Sequence, residues 1–235
     1  FSLFGDTIDN DIPEPEIPHT NHWASFEKLQ KEKEVTGIYI SGHPLDDFEL
    51  EIKNYTNTTF DDIERFRDKD VSVACMVSSV NKRIDKNGRP WAIVQFEDLD
   101  STMELAFFSK DYNNYLAFLD IGNRLLLKGI YRPSFRDRTK YELSVNQMEF
   151  IQDVLEKYGK GIRLMMHYKY LDSEKVDKIY KIVSKHQGKR PFTVYLFDSD
   201  TDQPLTFTSK SGIKVSKDLY NDLCSVPNII VKLLT

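Results

Sequence analysis

The run DVSVACMVSSVNKRI, residues 70–84, decides how this chain is read. Val71, Val73, Cys75 and Val77 alternate with Ser72, Ala74, Met76 and Ser78, the period of two that marks a strand with one buried face. Asn87-Gly88 follows as a tight-turn signal, and PWAIVQFEDLD, residues 90–100, returns with Ala92, Val94 and Phe96 in one phase and Trp91 in the other. A turn over residues 99–102 leads into MELAFFSK, residues 103–110, which completes a three-stranded meander. DYNNYLAFLDIG, residues 111–122, then sets Tyr112, Tyr115, Leu116 and Leu119 at helical spacing, with Gly122 as its stop. Two further strands, RLLLKGIYRPSF (124–135) and YELSVNQMEFI (141–151), are separated by the polar RDRTK.

Five strands with a short helix between the third and fourth is the order of an OB-fold, a small, partly open five-stranded barrel. Phe96, Phe107 and Leu125 are expected in its core. The flanking segments differ in kind. Residues 1–22 are acidic, hold three prolines between residues 5 and 20, and read as a flexible tether. Residues 23–69 read as a helical linker. Its first helix spans about Trp23 to Val35, with Trp23, Phe26 and Leu29 or Gln30 on one side, and Gly37 ends it. Its second, short helix starts at Pro44 and turns Leu45, Phe48 and Ile52 inward. After the OB-fold, assigned to residues 70–152, the pattern turns mixed. GIRLMMHYKY reads as a strand, EKVDKIYKIVSKH as a helix capped by Asp172 or Ser173, and PFTVYLFDSD with PLTFTSKSGIKV as a hairpin. A helix capped by Ser216 and the strand NIIVKLL close residues 153–235 as a β-α-β-β-α-β domain, expected on the split β-α-β plan. The fold class is therefore mostly β plus α+β.

At 235 residues and 40% apolar content the chain can bury a sizeable core. Its net charge is −5, and the five acids of the first twenty residues account for all of it, leaving 32 acids against 32 bases. A nucleic-acid contact must come from a local patch, because there is no global basic field. Cys75 and Cys224 stand far apart with no CxxC or Cys/His cluster, so neither a disulfide framework nor a metal site is expected. No apolar run reaches the roughly 18 residues of a membrane span, and no signal peptide is visible. The expectation is a cytoplasmic protein without cofactors or membrane partners, in which the Asn-x-Thr matches at Asn54 and Asn57 are chance.

Local patches do exist. OB-folds bind oligonucleotides on strands two and three and through the loops joining strands one to two and four to five. The first of those loops carries Lys82, Arg83, Lys86 and Arg89 against Asp85 alone; the second carries Arg132, Arg136, Arg138 and Lys140 against Asp137 alone. Closing the five strands into a barrel is expected to bring both positive tips to one side. Trp91, Phe107 or Phe108, Tyr131 and Phe135 supply nearby rings that can stack on bases. The competing reading is that hairpin tips are basic because turns need solvation and that strand aromatics are core. SGHPLDD, with His43, Asp46 and Asp47, suggests acid-base chemistry, but no nucleophile motif, HExxH or Gly-rich phosphate loop accompanies it, and a tight turn at a helix start explains the same residues. No catalytic residue is assigned. His19, His22, His167 and His186 have no partners at ligand spacing.

Taken together, SLFG, an acidic Pro-containing tether, EKEVTGIYISGHPLDDF and an OB-fold carrying KNGRPWAIVQFEDLDSTMELAFF resemble the C-terminal portion of the alpha subunit of bacterial replicative DNA polymerase III. The likeness covers essentially the whole chain and rests on architecture more than on letters in the last eighty or so residues. It implies that polymerase catalysis lies upstream and that this part is a connector. The family's clamp-binding motif is a glutamine, a variable residue, Ser or Asp, Leu and Phe. Phe1, Ser2, Leu3 and Phe4 match everything after the glutamine, whose place in the motif would fall before residue 1. The resemblance further implies single-stranded template DNA on the OB-fold, and the tau subunit of the clamp loader on the last domain. Beside it stand a free-standing RNA-binding OB module of the tRNA-reading type, an enzyme built on His43 with Asp46 or Asp47, and a protein-protein scaffold with no nucleic-acid contact.

Overall fold

The computed structural model describes residue 23 and residues 25–135, 137–198 and 204–235, the side chains of residues 25 and 26 excepted. It divides at Gly42 into two units. In the first, α1 (Ser25–Thr36) ends where Gly37, at φ +82°, donates its N–H to the Lys33 carbonyl. Trp23 precedes the helix and is exposed, so it does not share the apolar side expected of it. The side chain of Phe26 lies outside the described residues. The Glu32 carboxylate accepts the N–H and hydroxyl of Ser41, which holds the segment after the helix.

The second unit, His43–Thr235, opens on a single 3-10 turn, Asp46–Phe48, followed by α2 (Glu49–Tyr55). Pro44 therefore precedes the helical residues. Leu45 is buried, but so is Glu51, on the side of α2 that faces inward.

Five strands then build the expected barrel: β1 (Lys69–Ile84), β2 (Pro90–Glu97), β3 (Thr102–Phe108), β4 (Arg124–Pro133) and β5 (Tyr141–Phe150), in the order β3-β2-β1-β4-β5. β1 is the spine. Residues 69–76 pair with β4 and residues 76–84 with β2, and a bulge at Ser78 separates the two halves. A bulge inserts one residue and so inverts the inside-outside phase. Before it Val71, Val73, Cys75 and Val77 face the interior; after it Val80 faces inward opposite Val94, while Asn81 and Arg83 face out. Ala74 and Met76 are buried although they lie in the outward phase, because α2 and residues 151–158 cover that side of β1 and β4. Ser72 shows the contact: its hydroxyl donates to the Tyr55 carbonyl and its N–H to Asn57. Phe96, Phe107 and Leu125 lie in the barrel core with Val73, Cys75, Val94, Leu127 and Met148.

Between β3 and β4 the helix α3 (Ser109–Tyr115) is shorter than its sequence pattern and tightens into a 3-10 turn over Leu116–Phe118. Tyr112 and Leu119 reach the core; Leu116 is exposed. Gly129 in β4 is required by close approach, since a Cβ there would collide with the Ser144 carbonyl oxygen.

The α4 helix (Val154–Tyr158) leads into the rest of this unit, with β6 (Gly161–His167), α5 (Ser173–Lys185), β7 (Gln187–Gly188), β8 (Phe192–Phe197), β9 (Leu205–Thr208), β10 (Gly212–Ile213), α6 (Lys217–Cys224) and β11 (Ile230–Leu234). Asp172 caps α5 and Ser216 caps α6. The main element order is the expected β-α-β-β-α-β, but the plan is not the split one. β6 and β8 are direct parallel neighbours and the sheet runs β11-β6-β8-β9, so no strand lies between the two arms of the crossover. The reason is the hairpin: β9 pairs back on the outer edge of β8, and the inner edge of β8 is left for β6.

Candidate nucleic-acid interface

The tip between β1 and β2 is organised by its one acid. Asp85 Oδ1 accepts the N–H groups of Asn87 and Arg89, each at 2.8 Å, and the backbone of Asp85 bonds to Gly88 and Arg89. Gly88 supplies the φ of +76° that the turn needs. The carboxylate is thus engaged by the loop backbone, and no described residue forms an ion pair with Lys82, Arg83, Lys86 or Arg89.

Behind the tip, three side chains stand in register across three strands. Arg83 is the direct partner of Trp91, and Trp91 of Phe108. Direct partners in an antiparallel pair project to the same face, here the outer one. The Arg83 guanidinium lies 5.4 Å from the Trp91 ring centroid, and the Trp91 and Phe108 rings stack at 5.1 Å with 21° between their planes. Ser109, at φ +40°, turns the chain sharply out of β3 and leaves Phe108 at the rim, 37% exposed. Ile84, Asp85, Lys86, Arg89, Trp91, Phe108 and Ser109 line a groove of about 400 Å³. Its chemistry is that of a stacking floor with a positive wall.

The tip between β4 and β5 has a similar internal tie. Asp137 Oδ1 accepts the N–H and hydroxyl of Thr139, and Ser134 N–H donates to the Lys140 carbonyl. Phe135 stands 94% exposed. Arg132, Arg138 and Lys140 are exposed; Arg136 lies outside the described residues. The two tips sit at opposite ends of β1, since Tyr131 pairs with Lys69 and Pro90 with Ile84. Barrel curvature nonetheless returns both to β3: Phe108 lines the first groove and also a second one, of about 450 Å³, between β3 and β5, together with Arg132 and Phe135. That second groove carries three acids, Glu104, Asp111 and Glu142, so its walls are not those of a phosphate track.

Not every expected residue joins the site. Lys82 pairs with Ala92 and shares the inward face, at the mouth of the barrel and away from Arg83. Phe107 is core. Tyr131 is not available for stacking: it is 5% exposed and its hydroxyl donates to Glu64 Oε1 at 2.5 Å, with burial first and that bond second pushing its pKa up to about 12. His43 belongs to a turn, as its Nδ1 accepts the Leu45 N–H, its N–H donates to Asp46, and its Nε2 faces Glu97 at 4.0 Å. Among the described residues no group of His, Cys, Asp and Glu could hold a metal ion. No helix among them is long and apolar enough to cross a membrane. Two buried acids escaped the sequence reading. Asp98 ties the β2-β3 turn to the Phe60 N–H. Glu51, its pKa raised by burial, lies inside α2. The turn before Ser101 hints at the first; nothing in the pattern marks the second. Residues 2–4 lie outside the described residues.

Residues 71–151 match the family described as an OB-fold nucleic acid binding domain, of the tRNA anti-codon type. The chain is 37% identical over 139 residues to a DNA polymerase III subunit alpha of Saccharopolyspora erythraea, covering 55% of this chain and 12% of that protein. It is 26% identical over 231 residues to that of Mycobacterium tuberculosis (95% and 19%), and 23% identical over 205 residues to that of Escherichia coli K12 (86% and 18%). It therefore spans less than a fifth of these relatives' length. Among solved structures, an asparaginyl-tRNA synthetase of Pyrococcus horikoshii aligns with 13% identity and a TM-score of 0.30, covering 54% of this chain and 32% of that one. The similarities over most of the chain, with the OB-fold among them, fit the C-terminal OB region of the alpha subunit.

Proposed function

We propose that this chain, similar to the C-terminal OB region of DNA polymerase III alpha subunits, is a non-catalytic module of a cytoplasmic replicative polymerase. In this reading it binds single-stranded template DNA through its OB-fold and links the polymerase to the sliding clamp and to the tau subunit of the clamp loader. The observation that carries the DNA part is the outward ladder Arg83-Trp91-Phe108 beside Lys86 and Arg89. Ring faces accept any base and the cations accept the backbone, which suits a template of arbitrary sequence. Arg132, Phe135, Arg138 and Lys140 flank the strand on the second side, with the acids of that groove favouring base over phosphate there. The clamp and tau contacts rest on the family likeness.

The test is anisotropy of labelled oligothymidine with the chain carrying Arg83→Ala, Lys86→Ala and Arg89→Ala. Affinity is expected to fall at least tenfold. Unchanged affinity rejects the site, and tighter binding to a tRNA stem-loop than to oligothymidine favours the RNA-reading module instead.

A further inference from the structure

The four-stranded sheet β11-β6-β8-β9 has one covered face and one open one. Ile162, Leu164 and Met166 of β6, and Phe192 and Leu196 of β8, pack into the core with α5 and α6. Alternation sends Arg163, Met165 and His167, and Thr193, Tyr195 and Phe197, to the opposite face, where each is half-buried or exposed. We propose that this open face binds single-stranded nucleic acid independently of the OB-fold, with Arg163 and Lys232 holding phosphate and Tyr195 and Phe197 stacking bases.

The charge arrangement is the first support. Arg163 and Lys232 are direct partners across β6 and β11, both exposed, and neither is in an ion pair with a described residue. Like charges directly opposite each other destabilise a sheet, and an anion between them removes that cost. The same row continues through Thr193 of β8 to Thr208 of β9, adding hydroxyls and no carboxylate. The rings are the second support. The Phe197 ring lies 6.5 Å from that of Tyr195 and 5.5 Å from that of His167, which stacks on Tyr168 at 5.2 Å. Asp198, 3.8 Å from His167 Nε2, makes this end unfavourable for phosphate. Four residues of strand, ~13 Å at 3.3 Å each, separate the cationic row from the His167 row, a span for a short run of nucleotides. A polyanion that carries flat rings complements both ends at once; a peptide of mixed charge complements neither.

The test uses the full chain with the OB ladder disabled by Trp91→Ala, Lys86→Ala and Arg89→Ala, and 5-iodouracil oligonucleotides with deoxyribose or ribose backbones. Photo-crosslinks are expected on peptides holding Tyr195 or Phe197, with the two sugars showing whether DNA or RNA is preferred. Adding Arg163→Glu and Lys232→Glu is expected to weaken binding by roughly tenfold and flatten its salt slope by ~1.4. The neutral pair Arg163→Gln and Lys232→Gln, with a circular dichroism melt no lower than the parent's, separates lost binding from lost folding. Crosslinks confined to residues 83–108, affinity within twofold after both reversals, or a face occupied by protein from which oligonucleotide is excluded each overturn the proposal.

Discussion

Trp91 stacks on Phe108 at 5.1 Å while its other strand neighbour, Arg83, holds a guanidinium 5.4 Å from the same ring. A ring held between two partners loses little further freedom when a base lands on it, which favours binding. Trp91→Ala is expected to weaken oligothymidine binding about tenfold, within the ~1–3 kcal/mol of one base stack, and to leave the melting temperature nearly unchanged because the ring points away from the core. Anisotropy and a thermal melt check both; a loss under twofold removes the ladder from the site.

Salt dependence separates the two tips. Lys86→Ala with Arg89→Ala is expected to reduce the slope of log affinity against log salt by about 1.4, roughly 0.7 for each lost phosphate contact. Arg138→Ala with Lys140→Ala is expected to change it by less than ~0.7, since Glu104, Asp111 and Glu142 already line that side. Equal changes at both tips count against the one-sided phosphate track.

Asp85 tests shape against charge. Removing an acid from a basic tip strengthens phosphate binding if charge alone matters. Asp85→Asn keeps the Oδ1 acceptor for Asn87 and Arg89 and is expected to bind DNA more tightly than the parent. Asp85→Ala frees both N–H groups, disorders the turn and is expected to bind more weakly. Titrations of the two variants side by side decide it, and equal tightening shows that turn geometry is irrelevant.

Tyr131 gives the barrel an alkaline limit. Burial and the bond to Glu64 raise its pKa from an ordinary 10 to about 12, so the folded chain keeps a proton that the unfolded chain releases. The stabilisation is fully present below pH 10 and is lost as pH rises toward about 12. Urea midpoints are expected to drop across that window, and less steeply in Tyr131→Phe. A parallel fall in both proteins removes Tyr131 as the cause.

The barrel order was legible because each strand keeps one face to a core and each turn carries its own chemistry, as Asn87-Gly88 does. What stayed hidden depends on partners distant in sequence. Ala74 and Met76 look like the solvent phase of β1 until α2 and residues 151–158 lie over them. The split plan failed because six segments in the right order leave the pairing of β6 with β8 undetermined. Basic residues at the first tip were visible, whereas their sorting was not: Lys82 and Arg83 are adjacent in sequence and face opposite ways. Tyr131 reads like any strand aromatic, and only the fold brings Glu64, 67 positions earlier, to its hydroxyl.

The bulge at Ser78 carries a consequence of a different order. Loss of that one residue, with every other letter intact, would leave Val77 opposite Phe96 and Ser79 opposite Gln95 in an unbroken ladder, with Arg83 still beside Trp91. A deletion between Ser79 and Arg83 has no such slack: keeping the bulge turns Arg83 inward, and giving it up turns Val80 outward, so the orientation of the ligand-facing cation is encoded by a count of residues.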